Sequence, residues 1–163
     1  MTSKIKEVFS NIKAENRKAL ITYIVSGDPD TETTIEIMNS MVQQGTDIIE
    51  LGIPFSDPMA EGISIQKGHE RALEKGASLM GTFELLKKFR ANDKKTPIVF
   101  MGYMNTFESL GAKQFMSEAV KADLDGILIV DMPPEESSNF SIEAEKVGVD
   151  TVSYTHLTLP TKA

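Results

Sequence analysis

Hydrophobic positions along the chain follow two alternating periods. Apolar residues spaced i, i+3, i+4 and i+7 predict an amphipathic helix near the start: Ile5, Val8, Phe9 and Ile12. Residues 19–25 then form a continuous apolar run rich in β-branched side chains, which predicts a strand, and residues 26–29 end it with turn chemistry. The chain therefore opens as helix, strand and turn.

The same alternation recurs along the rest of the chain. Further strands are predicted over residues 47–51, 97–101, 126–130 and 149–152. Helical periods lie between them, the later ones over residues 107–122 and 135–147. Strands alternating with helices predict a parallel sheet, and their almost wholly apolar sequences predict burial on both faces.

Two architectures fit this pattern, an open doubly wound sheet and a (β/α)8 barrel. The first strand does not lead into a Gly-x-Gly-x-x-Gly turn, and the sequence has no Gly-x-x-x-x-Gly-Lys-Ser/Thr loop. A dinucleotide-binding or P-loop protein is therefore disfavoured.

Composition narrows the possible partners. The formal charge of -7, from 24 acidic and 17 basic side chains, opposes binding to nucleic acid. No apolar run approaches the roughly 18 residues of a membrane span, and residues 1–13 lack the apolar core of a secretory signal. We therefore expect a cytoplasmic protein with no nucleic-acid or membrane partner.

Cysteine and histidine usage argues against a metal site. The sequence has no cysteine, so disulfides, thiolate metal ligands and cysteine nucleophiles are excluded. The two histidines, His69 and His156, lie far apart in the chain. His69 is expected on the surface of its helix, and no metal is expected.

Two carboxylates frame the loop after the second strand. Glu50 lies at the carboxyl end of that strand, where parallel sheets build their sites, and an apolar surrounding would raise its pKa towards neutral. Glu61 follows just before Gly62, and a loop shaped by Gly52 and Pro54 could fold it back over the site. Two such carboxylates can divide acid and base roles. The alternative is that Glu50 is simply the first solvated residue past the strand.

The residues around this loop resemble the tryptophan synthase alpha family. Residues 49–62 read IELGIPFSDPMAEG and carry the family signature, followed by Ile65 and Gln66. Residues 22–29, 101–105 and 131–136 are similar to the exits of the family's first, third and fourth strands. The resemblance covers about residues 5–152 and implies a (β/α)8 TIM barrel, here truncated to about four and a half βα units of a fold that needs about 250 residues.

The resemblance also implies a reaction, the retro-aldol cleavage of indole-3-glycerol phosphate to indole and glyceraldehyde 3-phosphate in tryptophan biosynthesis. Glu50 matches the family's acid/base carboxylate, and Glu61 matches the carboxylate that stabilises the ring-nitrogen cation. Tyr23, Met101 and Tyr103 are expected to line the indole pocket, with core packing as their alternative role. Asp131 is expected to be structural.

The family's alpha chain binds a beta chain in an α2β2 tetramer, which implies a partner for this protein too. The expected interface is the loop of Pro54, Phe55, Ser56, Asp57 and Pro58. No cofactor is expected in this chain, and pyridoxal phosphate is expected on the beta chain.

Three residues depart from the family pattern. Glu61 stands where the family usually has Asp, Ile63 where it has Pro, and Tyr23 where many members have Phe. The family's phosphate-binding loops would lie in the later half of the barrel. This chain alone is therefore expected to be inactive.

The chain divides into residues 1–152, a partial barrel domain, and residues 153–163. The latter, SYTHLTLPTKA, show no helical period and no turn leading into a helix. We interpret them as a non-native tail. The alternative is a native extended tail.

Two other functions compete with the lyase. One is another phosphate-binding barrel lyase or isomerase, but such enzymes commonly place a lysine acid on an early strand, and no lysine here ends a strand. The other is a noncatalytic regulatory partner of the beta chain. Carboxylates at both Glu50 and Glu61 favour an enzyme.

Overall fold

The structure, a computed structural model, describes residues 3–132 and 138–153 and contains one parallel five-stranded sheet. Its strands are β1 (Ile21–Val25), β2 (Ile48–Gly52), β3 (Ile98–Gly102), β4 (Gly126–Ile129) and β5 (Asp150–Ser153). Their spatial order is β1-β2-β3-β4-β5, so every strand pairs with its successor. A doubly wound sheet would reverse direction at a switch point. The sequential order is that of a (β/α)8 barrel, as expected from the resemblance.

Helices connect the strands and cover the sheet. They are α1 (Lys4–Ala14), α2 (Thr31–Gln43), α3 (Ile63–Glu74), α4 (Leu79–Arg90), α5 (Met104–Glu108), α6 (Ala112–Lys121) and α7 (Ser138–Val147). Side-chain caps fix three of their starts, because Ser3, Asp30 and Ser78 each accept a backbone N–H of the first turn. In the described part of the chain, no helix is long and apolar enough to cross a bilayer.

One predicted helix is wrong in its extent. The helix expected over residues 107–122 is two helices, α5 and α6, separated at Gly111. Gly111 has φ of 73°, a left-handed conformation that interrupts the helix at little cost only for glycine. The helix expected over residues 135–147 is observed as α7, and residues 133–137 lie outside the described ranges.

The sheet has an outer face against the helices and an inner face towards the barrel axis. Ile49 and Leu51 belong to the outer core, whereas Ile48 belongs to a separate inner cluster. The side chains alternate between the two faces because successive residues of a strand point to opposite sides of the sheet. Ile5 and Val8 of α1 pack on the inner cluster, so α1 fills the inner face near the start of the strands. The carboxyl ends are left for the site.

Only the backbone of Ser153 is described from the predicted tail, at the end of β5. Residues 154–163 lie outside the described ranges. The division at residue 152 therefore stays a prediction.

Candidate active site

Glu50 lies in the middle of β2, on the inner face of the sheet. Its register partners are Tyr23 on β1 and Val99 on β3, and the side chain is half-buried. Burial raises the pKa of the Glu50 carboxyl above the ordinary glutamate value. Because β2 continues to Gly52, Glu50 is a strand residue and not the first solvated position beyond the strand. Its catalytic role stays a prediction.

The loop between β2 and α3 turns back over the end of β3. Ile53 is fully buried, and its N–H donates to the Met101 carbonyl over 2.8 Å. The ring of Phe55 stacks on Tyr103, with ring centroids 5.1 Å apart and planes inclined by 25°. Further along, the Ala60 N–H donates to the Tyr103 hydroxyl over 2.9 Å. Tyr103 therefore holds the loop at two points.

The fold-back places Glu61 against Tyr103, just past the carboxyl end of β3, whereas Glu50 lies within β2. The Tyr103 hydroxyl donates a short hydrogen bond to Oε2 of Glu61. The side-chain amide of Gln66 donates to the Glu61 carbonyl over 2.9 Å, which secures the backbone as well. Burial first, and the Glu61 hydrogen bond second, raise the pKa of Tyr103 well above its ordinary range, so the phenol stays a neutral donor.

The three residues predicted to line an indole pocket differ in how far they are exposed. Tyr23 is half-buried, and its hydroxyl occupies the space that a side chain at position 52 would need, so Gly52 permits this placement. Met101 is half-buried against the inner cluster. Tyr103, by contrast, is only 2% exposed. Tyr23 and Met101 present surface near Glu50, whereas Tyr103 is covered and engages Glu61.

The expectation that His69 lies on the surface is wrong. His69 on α3 is 2% exposed, its Nδ1 accepts the Phe55 N–H over 3.1 Å, and its Nε2 lies 3.3 Å from the Tyr23 hydroxyl oxygen. Desolvation lowers its pKa, partly opposed by the charges of Glu61 and Asp28. The sequence held a signal for this burial, since the covered face of α3 repeats with a helical period: Gly68, His69 and Ala72.

Asp131 has a structural contact, as expected. Its carboxylate accepts the Met104 N–H over 2.7 Å at the first residue of α5. Such a contact satisfies a donor that helix geometry leaves unpaired. The rest of the motif at residues 131–136 lies outside the described ranges from residue 133 onwards.

The predicted partner loop is partly accessible. Ser56 and Asp57 are exposed, Phe55 is half-buried, and Pro54 and Pro58 are buried. The two buried prolines therefore shape the loop, while Ser56 and Asp57 between them are accessible, and their role in a partner interface stays a prediction.

The family model and two curated relatives that match this chain are tryptophan synthase alpha chains. The family model described as tryptophan synthase alpha chain matches residues 9–163. The tryptophan synthase alpha chain of Burkholderia mallei is 47% identical over 150 residues, which are 92% of this chain and 55% of the relative. That of Dechloromonas aromatica is also 47% identical over 150 residues, 92% of this chain and 56% of the relative. The chain thus spans about half the length of these curated relatives.

Solved structures agree in fold. A tryptophan synthase alpha chain from Legionella pneumophila superposes with a TM-score of 0.89 at 38% identity, covering 93% of this chain and 57% of that one. A structure of the tryptophan synthase α2β2 complex from Pyrococcus furiosus matches with a TM-score of 0.78 at 41% identity, covering 83% and 54%. In both cases the matched region is only part of a longer chain.

Proposed function

Because the chain belongs to the tryptophan synthase alpha chain family, we propose that it supplies the acid/base part of a site that cleaves indole-3-glycerol phosphate. The products would be indole and glyceraldehyde 3-phosphate. The observation that carries this proposal is Glu50, a half-buried carboxyl of raised pKa on the inner face of β2, two residues before the end of that strand.

The reaction moves protons without net gain or loss. The bond between the indole ring carbon and the side chain breaks, the ring carbon receives a proton, and the adjacent hydroxyl loses one to become the aldehyde. We assign the delivery of the proton to Glu50. Its raised pKa supports this role, since burial leaves more of the carboxyl in its protonated form at a given pH, with a proton available for the ring carbon.

Glu61 is proposed to stabilise the positive charge that develops at the ring nitrogen. Its Oε2 is held by the Tyr103 hydroxyl, and we propose that Oε1 accepts the ring N–H of the substrate. The family usually has Asp here, and the extra methylene would displace the carboxylate by about 1 Å, which matters where reacting groups are closely positioned. The bond to Tyr103 restricts the longer side chain and supports a defined position for its charge.

Tyr23 and Met101 are proposed to contact the indole ring. Both lie on the inner face and are half-buried. Tyr103 was expected in the same role, but its 2% exposure favours a supporting role behind Glu61. This division gives the pocket an apolar wall beside Glu50 and a polar wall at Glu61.

We propose that the partner of the whole protein is a beta chain that binds at the loop of residues 54–58. Support comes from the exposed Ser56 and Asp57 and from the α2β2 assembly named for the Pyrococcus furiosus relative. Met59, 84% exposed, continues the same surface with an apolar side chain. Pyridoxal phosphate is assigned to the beta chain, and this chain is assigned no cofactor.

The isolated chain is proposed to be inactive. It spans 55% of the Burkholderia mallei relative, and by the resemblance the family's phosphate-binding loops would lie in the later half of the barrel. Activity therefore has to be measured in a completed barrel. A suitable protein joins residues 1–152 to the remaining barrel units of the Burkholderia mallei relative, and we refer to it as the completed barrel.

Indole release by the completed barrel tests the proposal. Glu50→Gln is expected to reduce turnover by about 10²–10⁴-fold, the usual contribution of a general acid or base. Glu74→Gln, at an exposed position of α3, is the matched control and should leave turnover unchanged. Beta-chain binding should be the same in all three proteins.

Undiminished indole release by Glu50→Gln would remove the assignment. A completed barrel that binds the beta chain but releases no indole would favour the noncatalytic alternative instead. Indole release by the isolated chain at the rate of the completed barrel would overturn the proposed inactivity.

A further inference from the structure

His69 connects two elements that the candidate site depends on. It lies on α3, is 2% exposed, and contacts the loop after β2 through the Phe55 N–H and β1 through the Tyr23 hydroxyl. Neither contact is local, because Phe55 and Tyr23 are 14 and 46 residues away along the chain. A buried imidazole that contacts both segments fixes their relative positions.

The geometry determines which ring nitrogen carries the proton. A backbone N–H can only donate, so Nδ1 of His69 must be the acceptor for Phe55 and cannot hold a proton. A neutral imidazole then carries its proton on Nε2, directed at the Tyr23 hydroxyl oxygen over 3.3 Å. An imidazolium would donate from both nitrogens and lose the bond from Phe55.

Each partner of His69 leads to one of the two carboxylates. The Phe55 ring stacks on Tyr103, whose hydroxyl holds Glu61. On the other side, Tyr23 is the register partner of Glu50, and its hydroxyl packs against Gly52. Moving the imidazole would therefore disturb the surroundings of both carboxylates.

We propose that His69 is a positioning residue that, as its Nε2–H tautomer, holds Phe55 and Tyr23 in place and thereby sets where Glu61 and Glu50 meet the substrate. Its consequence for turnover rests on the proposed function. The placement of Phe55 and Tyr23 does not, and it can be measured in the chain itself without substrate.

Nitrogen NMR of the imidazole rings is the first test. The chain has two histidines, so a His156→Gln variant assigns the His69 signals. We expect an unprotonated Nδ1 and a protonated Nε2 at neutral pH. A protonated Nδ1, or an average of the two tautomers, would overturn the proposal.

Hydrogen exchange at the Phe55 amide is the second test. It compares two variants of His69, one that can still accept the hydrogen bond from the Phe55 N–H and one that cannot. Asn places its side-chain oxygen where Nδ1 of histidine lies, so His69→Asn can still accept from Phe55. His69→Phe fills the volume and cannot accept. We expect exchange at least tenfold faster in His69→Phe and close to wild type in His69→Asn. Equal protection in wild type and His69→Phe would overturn the proposal.

His69→Phe could also destabilise the whole chain. Exchange at Phe100, buried in β3 on the outer face, separates the two effects, since global unfolding would speed it equally. The His69→Asn variant and the wild-type tautomer decide the proposal if His69→Phe does not fold.

Turnover of the completed barrel links the placement to catalysis. His69→Phe should lower kcat by up to about 10²-fold, as expected for misplaced groups. His69→Asn keeps the acceptor for Phe55 but does not reach the Tyr23 hydroxyl, so it should restore only part of kcat. A wild-type completed barrel without activity would count against the proposed function alone, because the tautomer and the exchange rates still decide the placement. Normal kcat in His69→Phe would contradict the catalytic consequence.

Discussion

At the residue scale, the two carboxylates of the candidate site are governed by different physical effects. Burial alone raises the pKa of Glu50. Glu61 is instead held by a hydrogen bond from Tyr103, a residue 42 positions away along the chain. Strand alternation could predict the first effect from the sequence. The second depends on how the loop folds back, and the sequence pattern carries no signal for it.

Tyr103 gives a direct test of the contact to Glu61. Its raised pKa has burial as the larger cause and Glu61 as the next, so Glu61→Gln should lower the Tyr103 pKa but leave it above the ordinary tyrosine value. The measurement is a tyrosinate absorbance titration. The chain has three tyrosines, and Tyr103→Phe identifies the signal.

Asp57→Asn is the matched control, since it removes a carboxylate from an exposed position of the same loop. It should leave the Tyr103 titration unchanged. A Tyr103 pKa that is identical in wild type and Glu61→Gln would show that the two side chains do not interact in solution.

At the element scale, the sequence predicts strands and helices well where the hydrophobic period is strong. It fails at two places for identifiable reasons. The apolar period continues on both sides of Gly111 and therefore predicts one helix. The left-handed backbone of Gly111 divides this segment into α5 and α6. His69 is buried and not on the helix surface as expected, because it lies on the covered face of α3 with Gly68 and Ala72.

The outer core between sheet and helices contains a group of aromatic rings. Phe115 on α6 is fully buried, and its ring centroid lies 5.2 Å from that of Phe83 and 5.1 Å from that of Phe107. The ring of Phe140 on α7 lies 6.0 Å away. Phe115 therefore joins α4, α5 and α7.

Phe115→Ala should destabilise the chain by about 3–5 kcal/mol, because the truncation leaves a cavity that these rings cannot fill. Urea unfolding followed by circular dichroism measures the loss. Phe9→Ala on α1, where the side chain is 45% exposed, should cost less than about 1 kcal/mol. A loss of similar size in the two variants would contradict the packing described for Phe115.

At the scale of the whole molecule, the order of the strands and the share of the relatives that this chain covers both indicate part of a barrel. The sheet runs in sequence from β1 to β5, and the chain spans 55% of the Burkholderia mallei relative. In the described ranges, β1 pairs only with β2 and β5 only with β4. Side chains at these two edges remain open to solvent, with Ile21 45% and Val152 41% exposed. The rest of a barrel would cover them.

The sequence could predict the parallel sheet but not its closure, because apolar strands alternating with helices occur in both barrels and open sheets. The motif around Glu50 predicted a strand that leads into a loop, which is observed as β2 and the segment before α3, but Glu50 lies in the middle of β2 and not at its carboxyl end as expected. The motif did not predict the contacts among Phe55, Tyr103 and His69, since these depend on the tertiary path of the loop.

Titration of the Glu50 carboxyl by carbon NMR tests most directly whether folding raises the pKa of this side chain, as its proposed role in proton transfer requires. Glu50→Gln assigns the signal, and a denatured sample of the same chain gives the reference. We predict a midpoint clearly above that of the denatured chain, because burial disfavours the charged form. The Gln variant should then gain stability relative to wild type as the pH rises through that midpoint. A Glu50 midpoint at or below the denatured value would contradict the account.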